Sequence, residues 1–97
     1  MLFRSANVSS FKTENVTDMY HMFENCSSLT SLDLRSFKTE KVTDMRYMFQ
    51  NCSSLTSLDL RSFNASKANT GDMFSGCNKL TNFNCSDANI RNAFGKK

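Results

Sequence analysis

The chain contains no proline and no tryptophan, and only three of its 97 residues are glycine. Without tryptophan, much of the apolar volume falls to nine Phe and six Met, most of them at recurring positions. So few glycines leave no loop able to cradle a phosphate. His21 is the one histidine, so a catalytic base or metal ligand there would have no partners of the right type. No run of Lys or Arg is longer than Lys96-Lys97, and the net charge of +3 is spread among acidic residues. That pattern speaks against a nucleic-acid partner. No stretch approaches the length of a membrane span, and the opening MLFRSANVSS turns polar after Leu2 and Phe3. Neither membrane insertion nor a signal peptide is expected.

What the chain has instead is itself, twice. Phe11–Ser36 reads FKTENVTDMYHMFENCSSLTSLDLRS, and Phe37–Ser62 reads FKTEKVTDMRYMFQNCSSLTSLDLRS. The copies differ only at Asn15/Lys41, Tyr20/Arg46, His21/Tyr47 and Glu24/Gln50. Such self-similarity means one small unit stacked on itself, each copy burying the other's apolar face. A chain of 97 residues then forms a single small repeat domain with five segments. These are a partial repeat at 1–10, repeats at 11–36 and 37–62, a degenerate repeat at 63–86, and a C-terminal cap at 87–97. The partial repeat follows from a slide of 26 residues, which sets Phe3 on Leu29, Ala6 on Leu32 and Val8 on Leu34. Residue 1 thus falls inside a repeat, and the chain is expected to be a fragment of a longer array.

Each repeat reads as three short sides. Val16–Met19 and Val42–Met45 suit a short strand. Met22–Cys26 and Met48–Cys52 suit one or two helical turns, with Asp18 and Asp44 as their N-caps. Leu29–Leu34 and Leu55–Leu60 alternate apolar and polar residues, which suits a half-buried strand. Phe11, Phe37 and Phe63 stand at the corner that follows. In the third copy Ala68 replaces Val42 and one residue is missing before Met73-Phe74. Asp87 then begins a lid helix through Ile90, Ala93 and Phe94, with Gly95 at its end and Lys96-Lys97 suiting its negative pole.

The four cysteines are neither a zinc pattern nor a clear disulfide framework. Cys26, Cys52 and Cys77 occupy one slot in successive copies, at spacings of 26 and 25 residues. Zinc sites need paired short spacings. Stacked about 4.8 Å apart, these residues read as a reduced, buried ladder of small hydrophobes.

NVTDMYHMFENCSSLTSLDL and KVTDMRYMFQNCSSLTSLDL resemble the BspA-like leucine-rich-repeat surface proteins, whose repeat is roughly 26 residues long. The shared signature is Leu-x-Leu, Phe, Val-Thr-x-Met, Met-Phe and Cys. It covers Phe11–Ser62 closely and Phe63–Ser86 loosely. The resemblance implies an α/β, leucine-rich-repeat-like solenoid of about three repeats. It implies cell-surface or secreted placement, and adhesion or protein contact as the role.

With the core positions removed, one surface stands out. The wet face of the Leu-x-Leu strands carries Ser31, Asp33 and Arg35, then Ser57, Asp59 and Arg61, then Asn82, Asn84 and Ser86. Stacking should set Asp33 against Asp59, with Arg35 and Arg61 diagonally in reach of both. This face is the candidate binding surface. The corner ladder of Lys12-Thr13-Glu14 over Lys38-Thr39-Glu40 reads as a solvated turn, and the columns Thr17/Thr43 and Thr30/Thr56/Thr81 as hydrogen bonds along the stack. No catalytic, metal or cofactor site is expected, so the chain reads as non-enzymatic. Its expected partner is a host or cell-surface protein. The alternative is a self-assembling repeat that stacks end to end into dimers or filaments.

Overall fold

A computed structural model describes residues 5–7 and 12–96. Phe3, Val8, Phe11 and Lys97, invoked above, lie outside the described residues. Each copy contributes one short strand. These are β1 (Ser5–Asn7), β2 (Ser31–Asp33), β3 (Ser57–Asp59) and β4 (Asn82–Asn84), followed by one helix, α1 (Ala88–Gly95). The strands form a four-stranded parallel sheet in chain order. Ala6 pairs with Leu32, Leu32 with Leu58, and Leu58 with Phe83. The first two pairings are the 26-residue offset read from the sequence. The result is a small α/β fold, repeat-like, with a parallel sheet and one helix.

The core is a set of aligned columns. Phe23, Phe49 and Phe74 stack nearly parallel, with centroids 5.8 and 5.5 Å apart. Phe37 stacks on Phe63 at 6.1 Å. Such pairs add about 0.5–1.5 kcal/mol each beyond their burial. Met45, Met48, Phe49, Cys52, Leu55 and Leu60 in the middle copy are fully buried. That copy has a neighbour on both sides, so its columns are covered at both ends.

Two expected elements take another form. Met22–Cys26 and Met48–Cys52 are successive turns, not helical ones. The reason lies in the backbone. The N–H groups of His21, Phe23 and Asn25 donate across to the carbonyls of Arg46, Met48 and Gln50. Those of Met22, Glu24 and Cys26 donate three residues back within the copy. Half of the donors an α-helix would need are therefore spent on the next copy. Left-handed residues at His21 (φ 60°) and Asn25 (φ 62°) make this alternation possible, and Tyr47 and Asn51 repeat it at 60° and 61°. The Val16–Met19 strand shrinks to one bridging residue per copy, giving two isolated parallel bridges, Asp18 to Asp44 and Asp44 to Asn69. Asp18 and Asp44 cap turns rather than helices, each accepting from the backbone N–H two residues on.

The missing residue in the third copy is absorbed at Asn69. Its N–H donates to Thr43 O, as Thr43 N–H donates to Thr17 O. Its carbonyl accepts from Met45 N–H, as that of Asp44 accepts from Met19 N–H. One residue fills two ladder positions, and the register from Asn69 onward is offset by 25 rather than 26.

α1 lies against the last copy. Asp87 caps it through one oxygen, taken by Ile90 N–H, and accepts Ala65 N–H with the other. Ile90 is fully buried. Phe94 stacks on Phe83 at 4.1 Å and sets its edge to Phe74 at 5.8 Å. Gly95 is the last helical residue, and Lys96 closes the helix by donating its N–H to Ala93 O and Phe94 O.

Candidate interaction faces

The wet face of the sheet assembles as the alternation predicts. Ser31, Ser57 and Asn82 form one row, and Asp33, Asp59 and Asn84 form the next. Arg35 and Arg61 lie just past the strands, and Ser86 follows Asn84 by two residues.

Of the two aspartates in reach, each arginine takes one. Each arginine folds back on the aspartate of its own copy instead of spanning two. Asp33 Oδ1 accepts the backbone N–H and the Nε–H of Arg35 at 3.1 and 3.0 Å, and Oδ2 accepts Nη2–H at 2.9 Å. Asp59 and Arg61 repeat the fork at 3.1, 3.0 and 2.7 Å. The spacing explains it: in Asp-x-Arg the aspartate already caps the arginine's N–H, which brings the guanidinium to the same carboxylate. A two-point bond inside one residue triplet costs less side-chain entropy than one across copies.

The electrostatics follow from the forks. Hydrogen bonding from Arg35 holds the Asp33 carboxyl below its ordinary range, and Arg61 does the same to Asp59. Arg35 also attracts Asp59 and disfavours the charge on Arg61, so the two forks feel each other. The guanidiniums remain open to water, with 73% and 70% of their side-chain surfaces exposed. A shallow groove of about 340 Å³ runs between them, lined by Arg35, Asp59, Arg61 and Ser62.

The sequence reading missed a second face. All four positions that differ between the copies lie on or beside the turn side, and three of them meet across the copies. Lys41 Nζ donates to Asn15 Oδ1 at 3.2 Å. The Arg46 guanidinium lies 5.0 Å from the centre of the Tyr20 ring, and His21 stacks on Tyr47 at 4.8 Å. His21 Nδ1 sits 2.7 Å from Glu24 Oε2, a contact that is an ion pair only with the imidazole protonated. Arg46 also forks to Asp44, at 3.1 and 2.9 Å. Tyr20 and Met22 are the exposed large hydrophobic residues of the described chain, at 43% and 36%. The signal was available: substitutions confined to four columns of otherwise identical copies.

The corner ladder is not wholly a solvated turn. Lys12, Glu14, Lys38 and Glu40 are exposed, but Thr13 and Thr39 are buried. Thr39 Oγ1 accepts Asn64 N–H at 2.7 Å and donates to Asn64 O at 2.9 Å, and Thr13 clamps Lys38 the same way. The outer threonine columns do bond along the stack, Thr43 to Thr17 O and Thr56 to Thr30 O. All four cysteines are thiols, and Cys26, Cys52 and Cys77 are buried in line. Among the described residues no group of His, Cys, Asp and Glu could hold a metal ion, and no helix is long and apolar enough to cross a membrane.

No curated protein and no solved structure matches the chain. A family model does, over residues 2–94, and its description is "Mycoplasma protein of unknown function, DUF285". That span is nearly the whole of the repeat pattern and of the fold built on it, and the chain belongs to this family.

Proposed function

We propose that the chain is a non-enzymatic protein-interaction module, a leucine-rich-repeat-like solenoid working at a cell surface, with the wet face of the sheet as its contact surface. The resemblance to BspA-like surface repeats supports this reading. The observation that carries it is the pair of forked guanidiniums. Arg35 is held by three hydrogen bonds to Asp33 and Arg61 by four to Asp59, yet most of each side chain faces water. A side chain already ordered in the free protein loses little entropy on binding. Arginine is also among the residues that dominate interface energetics. The face suits a partner surface carrying carboxylates, with Ser31, Ser57, Asn82 and Asn84 supplying hydrogen bonds around them.

The test is surface panning. Biotinylated chain is applied to intact host cells and to immobilised extracellular-matrix proteins. Arg35→Gln/Arg61→Gln should lose capture, and Lys67→Gln/Lys79→Gln should keep it. Equal capture by the two doubles would overturn the reading.

Self-stacking is the second reading, and one contrast favours it. Met22 is 36% exposed while its column partners Met48 and Met73 are fully buried. Met22 thus offers apolar surface on the first copy, while α1 lies against the last. That asymmetry supports a dimer through the first copy rather than a filament. Light scattering over a wide concentration range would show a mass that doubles, and a constant mass would remove this reading.

A further inference from the structure

The Asp-x-Arg fork occurs three times in the described chain, at Asp33/Arg35, Asp44/Arg46 and Asp59/Arg61. A fourth aspartate has the same local geometry and a different third residue. Asp18 Oδ1 accepts the N–H of Tyr20 at 2.8 Å, as Asp44 Oδ1 accepts that of Arg46 at 3.0 Å. Asp18 and Asp44 occupy the same column and are bridged to one another. Here the residue two positions on is a tyrosine, which has no guanidinium to return. Among the described residues no cation pairs with Asp18, and Asp18 is exposed where Asp33, Asp44 and Asp59 are half-buried.

We infer that Asp18 and Tyr20 form a docking site for an arginine side chain of a partner protein. Three observations converge on that occupant. The carboxylate is set by its turn in the position that takes a two-point guanidinium bond wherever the copy supplies one. Next to it stands an exposed tyrosine, and Arg46 already lies over that ring, so a guanidinium is a chemistry the ring accepts in this fold. Third, the neighbouring charges are matched. Asp44 is neutralised by Arg46, so Asp18 is the unbalanced charge of its column. A lysine would meet the charge but not the geometry, because an ammonium cannot bond both oxygens in one plane. Around the pair, Met22, His21 and Tyr47 supply the apolar and aromatic surround typical of the residues on which binding energy concentrates. The site is on the turn side, apart from Arg35 and Arg61, and does not depend on the sheet-face reading.

The test is a titration of the ¹⁵N-labelled full chain with Ac-Gly-Arg-Gly-NH2, and with the lysine and citrulline versions of that peptide. Amide shifts should move at Asp18–Met22 with the arginine peptide. They should be about tenfold weaker in affinity with lysine and absent with citrulline. Asp18→Asn should abolish the response. Tyr20→Arg installs the triplet the second copy already carries, so it should fold, return its own guanidinium to Asp18, and also abolish the response. Undiminished binding by a folded Tyr20→Arg chain would overturn the inference, as would shifts confined to Asp33 or Asp59. Shifts at Asp18–Met22 that follow chain concentration without peptide would assign the site to an arginine of a second copy and overturn the partner protein as occupant.

Discussion

Asn51 donates its side-chain amide to the side-chain oxygen of Asn25 at 3.0 Å, and both residues hold left-handed backbones, with φ of 61° and 62°. The column ends at Gly76, whose φ is 83°. Asparagine is among the few residues that accept this region at modest cost, and here its side chain bonds to the copy beside it. At Gly76 a Cβ would meet Asn51 Oδ1 at 2.3 Å and Asn51 Cα at 3.2 Å. Gly76→Ala therefore combines backbone strain with a forced shift of the amide ladder. It should destabilise the chain by about 1–2 kcal/mol, read as a lower urea midpoint. Gly95→Ala is the control, since nothing lies within 4 Å of a Cβ there, and it should leave the midpoint unchanged or raise it.

The corner threonines carry the second prediction. Thr39 is fully buried and satisfies both backbone groups of Asn64. Thr39→Val keeps the shape and leaves a donor and an acceptor of the next copy without their partner. Asn64 itself is exposed, so water replaces part of what the hydroxyl supplied; at about 0.5–1.5 kcal/mol net per hydrogen bond, a loss of about 1–3 kcal/mol is expected in chemical unfolding. Thr39→Ser retains the hydroxyl and should recover most of it.

These two ladders show where the sequence was legible and where it was not. Strand positions were read well because Leu32 and Leu58 alternate with polar neighbours, a signal that depends only on which side chains face water. The Cys26/Cys52/Cys77 column was legible for a similar reason: identical spacing means identical depth. The turn side was misread because Met22, Phe23 and Cys26 have helical spacing. Nothing in that spacing reveals that alternate N–H groups are taken by the adjacent copy. Thr13 and Thr39 read as solvated in the sequence because Lys and Glu flank them, and only the stacking shows the clamp. The arginines were legible on the right face and in reach of both aspartates, but not which of the two each would take. Pattern locates a charge, but the turn at Asp33 decides which carboxylate it meets. The turn face is not legible in the sequence although Tyr20, His21, Arg46 and Tyr47 are visible as substitutions, because nothing in the repeat pattern shows that the substituted columns meet.

The forks imply a defined acid limb. Asp33, Asp44 and Asp59 all titrate below the ordinary value of 3.8, chiefly through hydrogen bonds from Arg35, Arg46 and Arg61. A carboxyl depressed in the folded state contributes stability that is fully present above its unfolded value. That contribution is lost as pH falls through the lower folded value. Stability should therefore be flat from neutral pH down to about pH 5 and decline below pH 4. Arg46→Gln should lower stability slightly at pH 7. Its deficit relative to the parent should vanish at the acid end, where Asp44 is protonated in both. Because the forks face water, 0.5 M salt should shrink the difference. A deficit that persists unchanged at pH 2 would mean Arg46 contributes through packing on Tyr20 rather than through Asp44.

The thiol column gives the last prediction. Burial, with smaller contributions from Cys77 and Cys26, pushes the Cys52 thiol up to about 12. Its Sγ–H donates to Phe23 O at 3.1 Å, and that of Cys77 to Phe49 O at 3.0 Å. Only the thiolate attacks a disulfide reagent, so Cys52 should not react in the folded chain at pH 8. Cys85 is half-buried at the end of the sheet, and although burial raises its thiol as well, it has the shortest path to solvent. With a chromogenic disulfide at pH 8, Cys85 should label first. Cys52 should label only at the rate of global unfolding, so its rate should climb with urea along the unfolding transition. Equal rates at Cys85 and Cys52 in the absence of urea would mean that the middle copy opens locally, against the complete burial of its columns.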